Sequence, residues 1–360
     1  MVADARAETI RLPRHRRPWT SYIVPAIGLG LVGIVVAWLA VNAVKDWSTF
    51  VQLTMTGTTR GALYGLVALG YTLVYGILEL INFAHGDVFM IGGMIAATFA
   101  LNVFDLGPSP ALGILVVAIL ASLAACMVAC GLLNATIERV AYRPLRSAPR
   151  LVPLITAIGV SFILQDVGLI WKGSLPVQLP PKTLPTGDVF TLGTCPKCAT
   201  YRWDQFFVLM VTVPVLVALV WLVQYTRRGK AMRATAQDKD AAAMMGIDVN
   251  RTISFTFLVA GALAGAAGVI FAYFTTSVGF QSGFTLGLIA FTAAVLGGIG
   301  NLPGAVLGAL LIGLIQDYNE GLSWHAPGSA WTQSLVFGIL ILILVFRPQG
   351  LLGEQTPEGG

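Results

Sequence analysis

Apolar residues run in long, nearly unbroken stretches at 21–41, 61–80, 88–104, 111–134, 152–171, 206–225, 252–274, 284–299, 303–317 and 332–346. A helix needs about 20 such residues to cross the hydrocarbon core of a bilayer. None of the stretches shows the short apolar/polar alternation of a membrane β-strand. The pattern predicts an all-α, polytopic helical membrane protein of about 8–10 transmembrane helices. Two stretches are short. Residues 284–299 and 303–317 are bounded by glycines and separated by Asn301, Leu302 and Pro303. They read either as tilted spans or as a re-entrant pair of half-helices, which lipid tolerates only where the freed backbone groups are buried in protein.

The one long polar interruption is RRGKAMRATAQDKDAAAMMGIDVNR, Arg227–Arg251. It reads as a segment working in water, with a short helix and a glycine break. Basic residues then orient the chain, because Lys and Arg collect on the cytoplasmic side. With Met1 inside, sixteen lie in inner segments against five in outer ones, with Arg60 at a boundary. Both termini are therefore expected in the cytoplasm, and residues 226–251 with them.

Composition narrows the class without adding chemistry. At 56% hydrophobic and 11% charged residues, a water-soluble fold is excluded, since soluble domains carry about 25% charge. The net charge of +5 reports topology and does not point to nucleic acid. Residues 1–20 form a basic tail, followed by about 21 apolar residues without an A-x-A site, so an uncleaved first span is expected. Residues 21–349 form a single membrane domain with a proline-rich outer loop at 172–204, and 350–360 read as a disordered tail.

Several residues invite a chemical role. In ELINFAHGDVFM, Glu79, Asn82 and Gly86 share a helical spacing, with Phe83, His85 and Asp87 between and beside them. Ionisable groups at membrane depth tend to face a cavity or a partner. The competing reading is a solvated turn at the inner interface. Arg60 and Asp166 read as interfacial, and Asp317, Glu320 and His325 as an outer loop. Cys195 and Cys198 form C-P-K-C in the outer loop, where an oxidising compartment favours a disulfide. Cys126 and Cys130, one turn apart on a span, read as small apolar residues. Gly261 and Gly265, and Gly300, Gly304 and Gly308, have the spacing that lets helices approach closely in lipid. Gly65–Ala68 before Asn82–Gly86 is faintly echoed by Gly287–Ala290 before Asn301–Gly304, as in an internal duplication. No Walker A sequence is present, three scattered histidines assemble neither a metal site nor a triad, and no cofactor is expected in this chain.

The runs Gly61–Met94, Glu138–Arg146, Ile155–Gln165, Arg227–Arg251 and Leu296–Gly313 resemble the LivH-type permeases of branched-chain amino-acid ABC importers. The resemblance spans about Val51 to Leu352, outside the 172–204 loop. It implies a transport subunit rather than an enzyme, in the bacterial inner membrane. Its partners would be a second homologous permease, two cytoplasmic ATPases that hold ATP and magnesium, and an external solute-binding protein. It also implies that a short cytoplasmic helix docks on the ATPase. That helix falls on about Ala234–Met245, including Thr235, Ala236, Asp238 and Ala242, with Gly246 ending it and Arg227, Arg228 and Lys230 flanking the membrane. Candidates for the passage are Glu79, Asn82, Phe83, His85, Gly86, Gly300, Asn301 and Gly304. The expected cargo is branched-chain or other apolar amino acids. The alternatives are urea, short amides, aromatic or other carboxylates, or a secondary transporter working without ATP. The longer N-terminus, Glu79 and C-P-K-C depart from the family pattern.

Overall fold

The computed structural model describes residues 20–78, 80, 82–146, 148–149, 151–193, 198–347 and 349–353. By contacts the chain falls into two units, Met1–Lys45 and Asp46–Gly360. Within the first unit, helix α1 covers Thr20–Lys45. Within the second, α2 covers Trp47–Leu78, α3 Ala84–Thr98 with a π turn to Val103, and α4 Leu112–Ile137 with a π turn at Glu138–Tyr142. Then follow α5 (Leu151–Lys172), α6 (Trp203–Tyr225), α7 (Arg227–Gln237), α8 (Lys239–Met244) and α9 (Val249–Thr275). Last come α10 (Ser282–Gly297), α11 (Leu302–Gly321) and α12 (Thr332–Phe346). The protein is helical, and among the described residues seven helices are long and apolar enough to cross a membrane.

Helices α2, α3 and α9 are buried along most of their length, whereas α4, α5, α6 and α12 turn large apolar side chains outward. In lipid, such outward faces need no cover. Association between the inner helices depends on close backbone approach and on interhelical hydrogen bonds. At the α4–α9 seam, Gly261 and Gly265 lie directly on the carbonyls of Cys130 and Cys126, so a side chain at either glycine would strike backbone. The two thiols are free and buried, and donate to the carbonyls of Val88 and Gly92 on α3. Gly304 and Gly308 pack on Gly297 and Ala293 across the α10–α11 pair. Gly261, Gly265, Gly304 and Gly308 therefore serve packing within the chain, whereas Gly300 has nothing within 4 Å of a Cβ position.

Asn134 of α4 crosses the same seam, its Nδ2 donating to Phe257 O of α9 at 2.7 Å. Interhelical hydrogen bonds of this kind contribute about 0.6–1.7 kcal/mol in membrane proteins. We expect Asn134→Ala to lower the thermal midpoint of the detergent-solubilised protein by a few degrees while leaving it monodisperse. Thermal denaturation against wild type measures the shift, and an unchanged midpoint would remove this bond from the account.

Three sequence readings change. Helix α2 begins fourteen residues earlier than its apolar run, at Trp47, because polarity hid it. Thr54, Thr56, Thr58 and Thr59 each donate to the carbonyl four residues back, which conceals their hydroxyls within the helix. Asp46 bonds Ser48 and Thr49 at the helix start. Arg60 is consequently inside a helix and not before one. Asp317 and Glu320 belong to α11, not to a loop, and pair with Arg60. The short stretches after 284 are two separate helices, joined by a turn in which Gly298 and Gly300 take φ of 109° and 93°, values that suit glycine.

The 172–204 loop carries more structure than its prolines suggest. Val177–Gln178 (β1) pairs antiparallel with Ser277–Val278 (β4), and Asp188–Leu192 (β2) pairs with Ala199–Arg202 (β3). Gln52 and Thr59 of α2 bond Thr200 and Tyr201 of this ribbon, tying it to the helix. Cys198 is disulfide-bonded, and Cys195 lies outside the described residues.

Candidate functional site

The break between α2 and α3 sets the geometry. Helix α2 stops at Leu78 and α3 starts at Ala84, so Asn82 and Gly86 do not share one continuous helical face as the spacing predicted. Asn82 holds the break open: its carbonyl accepts from His85 N at 3.1 Å, and its Oδ1 accepts from Tyr142 Oη at 2.7 Å. Glu79 lies outside the described residues.

The same run is buried, which overturns the reading of it as a solvated turn. His85 and Asp87 have no exposed surface, and Asn82 has almost none. His85 packs edge-on against Tyr71 with ring centroids 4.8 Å apart, and Tyr71 in turn meets Phe291 of α10. Phe83 is half-buried and also packs on Phe291. Asp87 Oδ2 accepts from the Ser161 hydroxyl, and Gln165 Nε2 donates to that hydroxyl. Ser161 lies ten residues into the 22-residue α5, about 15 Å along its axis, so this carboxylate sits at mid-helix. Nothing in the sequence pairs Asp87 with Ser161, 74 residues on. The trace in the sequence was the presence of polar Ser161 and Gln165 on a mostly apolar span.

Helix α10 closes over this core. Gly86 faces Gly283 and Gly287, with no room for a side chain on any of the three. Between Tyr71, Tyr75, Asn82, Phe291, Ala294 and Ile299 only about 10 Å³ remains, the space of about one water. The region is shut in this conformation.

The second group of predicted passage residues lies at the α10–α11 turn. Asn301 caps α11, accepting from Gly304 N at 3.0 Å, and its Nδ2 donates to Leu352 O at 2.8 Å. The segment after α12 also bonds the end of α10, through Leu351 N to Leu296 O and Leu352 N to Gly297 O. Gly300 is exposed and faces Gly76 of α2, while Gly304 is buried. The two helix breaks therefore flank one stretch of α2, from Tyr71 to Gly76. An open cavity of about 470 Å³ joins that stretch to the polar segment, lined by Thr72, Gly76, Gln224, Arg233, Gln237 and Asn301 among others.

In the polar segment the expected single helix is two. Asp238 ends α7 and caps α8, its Oδ1 accepting from Asp240 N and Ala241 N at 2.9 Å each. Thr226 caps α7 and Asp248 caps α9 in the same way. Such capping side chains satisfy amides left free at a helix start. Gly246 has φ of 81°, as expected for a helix-terminating glycine. Thr235 and Ala242 are buried, whereas Arg227, Arg228, Lys230, Ala236, Asp238, Met245 and Gly246 are exposed and Ala234 is half-buried. The Arg228 guanidinium lies over the Phe255 ring of α9 at 4.6 Å. Beside it, Glu138 of the α4 π turn is fully buried and pairs with Arg146, while Ser254 of α9 donates to its other oxygen at 2.6 Å. Burial pulls the Arg146 guanidinium below its ordinary pKa, against the opposing pull of Glu138. Loop and helix are thus locked together where α9 leaves the polar segment.

Residues 53–345 match the family described as the permease component of the branched-chain amino acid transport system. The chain belongs to this family. It is 38% identical over 311 residues to the high-affinity branched-chain amino acid transport system permease protein BraD of Pseudomonas aeruginosa, covering 86% of this chain and 97% of that one. It is also 38% identical over 309 residues to the corresponding permease protein LivH of Escherichia coli K12, with the same coverage. Among solved structures, PsaBC from Streptococcus pneumoniae in complex with Fab aligns over 87% of this chain and 97% of that one, at 15% identity and a TM-score of 0.41. As a permease component the protein is a transport subunit and not itself an enzyme.

Proposed function

We propose that this chain is one of two permease subunits of an ATP-driven importer in a bacterial cytoplasmic membrane, carrying branched-chain amino acids. Ten helices, α1–α6 and α9–α12, lie in the membrane with both termini in the cytoplasm, a reading supported by the excess of basic residues on that side. Two cytoplasmic ATPases, which bind ATP and magnesium, dock on α7 and α8. The second permease is a homologue, and an external solute-binding protein delivers and selects the cargo. The names of BraD and LivH support the substrate class.

The observation that carries this reading is the polar segment's unpartnered tip. Met244 and Met245 are 82% and 83% exposed at the end of α8, on a segment whose three helix starts are each capped by a side chain. Flexible, polarisable methionines suit a contact surface. Pressure there reaches α9 directly and α6 through α7, and reaches the α10–α11 turn across the 470 Å³ cavity. Reconstitution of the chain with its partner permease, ATPases and binding protein tests the assignment. We expect ATP-dependent uptake of L-leucine, L-isoleucine and L-valine into proteoliposomes, and none of urea, acetamide or benzoate. Uptake of one of those three in place of the amino acids would overturn the cargo, and uptake without ATP would overturn the machine.

A further inference from the structure

The cavity of about 470 Å³ between α2, α6, α7 and the α10–α11 turn has the make-up of a small-molecule site. Such sites typically occupy about 300–1,000 Å³, with mostly apolar walls and a few polar groups that fix orientation. The floor here is apolar: Leu73 and Ile77 of α2, Val223 of α6 and Met232 of α7 line it and are buried. The rim is polar and open, formed by the exposed Gln224, Arg233 and Gln237.

The rim has unused hydrogen-bonding capacity. Arg233 is the one charged residue of the lining, so no carboxylate within the cavity balances it. Its Nη2 donates to Gln224 O at 3.3 Å, and its Nε and Nη1 have no partner among the described residues. The side-chain amides of Gln224 and Gln237 likewise have none among the described residues. Asn301 differs, because both ends of its amide are already bonded. A guanidinium fork suits a carboxylate, and a glutamine Oε1 accepts from an ammonium. Above an apolar floor, these groups match a small molecule with a zwitterionic head and an apolar body.

The cavity also separates two parts that the push on α7 must bring into contact. Among the described residues no hydrogen bond or ion pair joins α7 to residues 298–303. A molecule lodged between them favours the arrangement in which they stand apart, because a ligand shifts an equilibrium toward the state it binds better.

We propose that this cavity binds an apolar α-amino acid from the cytoplasm and that its occupancy slows import. The carboxylate lies on Arg233, the ammonium on the amide oxygens of Gln224 and Gln237, and the side chain on the floor. The product of transport thereby restrains its own accumulation. The inference rests on the transport reading above, which places α7 in the cytoplasm, and adds regulation to it.

Labelling of an Ala236→Cys variant of the detergent-solubilised full chain tests the site. Ala236 is exposed, lines the rim and supplies none of the proposed contacts. Background is low, because Cys126 and Cys130 are buried and Cys198 is disulfide-bonded. If Kd is about 1 mM, about 10 mM L-leucine slows reaction with a maleimide roughly tenfold by occupancy. Glycine, which lacks the apolar body, and 3-methylbutylamine, which lacks the carboxylate, should leave the rate unchanged. Adding Arg233→Gln should abolish the protection. Equal rates with all three compounds would overturn the proposal, and the Ala236→Cys chain alone suffices for that result should the double variant fail to fold.

Proteoliposomes of the complete importer test the regulation. Internal L-leucine should slow ATP-dependent uptake of labelled external L-leucine, internal glycine should not, and Arg233→Gln should bring the ratio of the two rates to one. Protection without such slowing would overturn the regulatory role. Import with neither effect would remove the site and leave the transport reading standing. Protection in a chain that supports no ATP-dependent import would keep the site and overturn that reading.

Discussion

Gly86→Leu is expected to abolish the folded protein. A Cβ at this position would meet the carbonyl oxygen of Gly283 and approach the Cα of Gly287 to 2.8 Å, and the first Cβ at Gly283 would come within 2.8 Å of Asp87 Oδ1. These neighbours are backbone and a buried carboxylate, so no flexible side chain can move aside. Overpacking a core position costs about 1–3 kcal/mol, occasionally more. Here α10 would also be pushed off α3, which disturbs Asp87 and its bond from Ser161 midway along α5. We expect a total of about 3 kcal/mol or more, since a buried carboxylate that loses its partners adds its own penalty. Size-exclusion chromatography in detergent should show aggregate in place of a monodisperse peak. Gly159→Leu is the matched control, because nothing lies within 4 Å of its Cβ position. A monodisperse Gly86→Leu protein would mean that the α3–α10 crossing is loose.

That crossing also shows how far the sequence could be read. The apolar runs overlap all seven helices that are long and apolar enough to cross a membrane, because a lipid-facing stretch carries its signal by itself. They failed where polarity was hidden locally: the threonines of α2 bond back to their own helix, so Arg60 read as an interfacial residue ahead of the span. The polar segment was legible as a whole, since little else in the chain is both long and hydrophilic. Its division at Asp238 was legible only in hindsight, because an aspartate is as compatible with an exposed helix surface as with a cap. Asp87 was visible as an anomaly, yet its burial was not, since that depends on Ser161 and on the glycines of α10, remote in sequence. The same holds for Arg60 with Asp317 and Glu320. Pairings between remote polar residues carry no periodicity, so pattern alone cannot supply them.

Replacing Met244 and Met245 together by aspartate is expected to uncouple the permease from its ATPases. Both side chains project from the tip of α8 with little contact to their own chain, so the substitutions should leave the permease fold intact. Ala242, which the resemblance to LivH-type permeases puts in the docking helix, is buried within the segment; a large residue there would confound misfolding with lost docking. Apolar anchors at the centre of an interface commonly contribute about 2 kcal/mol or more each. Two such losses amount to roughly a thousandfold in affinity if they add. Affinity of the purified ATPase for the solubilised permease measures the change directly, and transport should fall with it while the thermal midpoint stays within a few degrees of wild type. Asp238→Ala separates position from contact. It removes only the cap of α8, a change of about 1 kcal/mol in helix stability, and should weaken docking far less than the methionine pair. Unchanged ATPase affinity in the double variant would move the contact off the tip of α8, onto the exposed Arg227, Arg228 and Lys230 at the start of α7. Force would then enter next to α6, and the cavity between α7 and the α10–α11 turn would no longer lie between the push and the helix breaks.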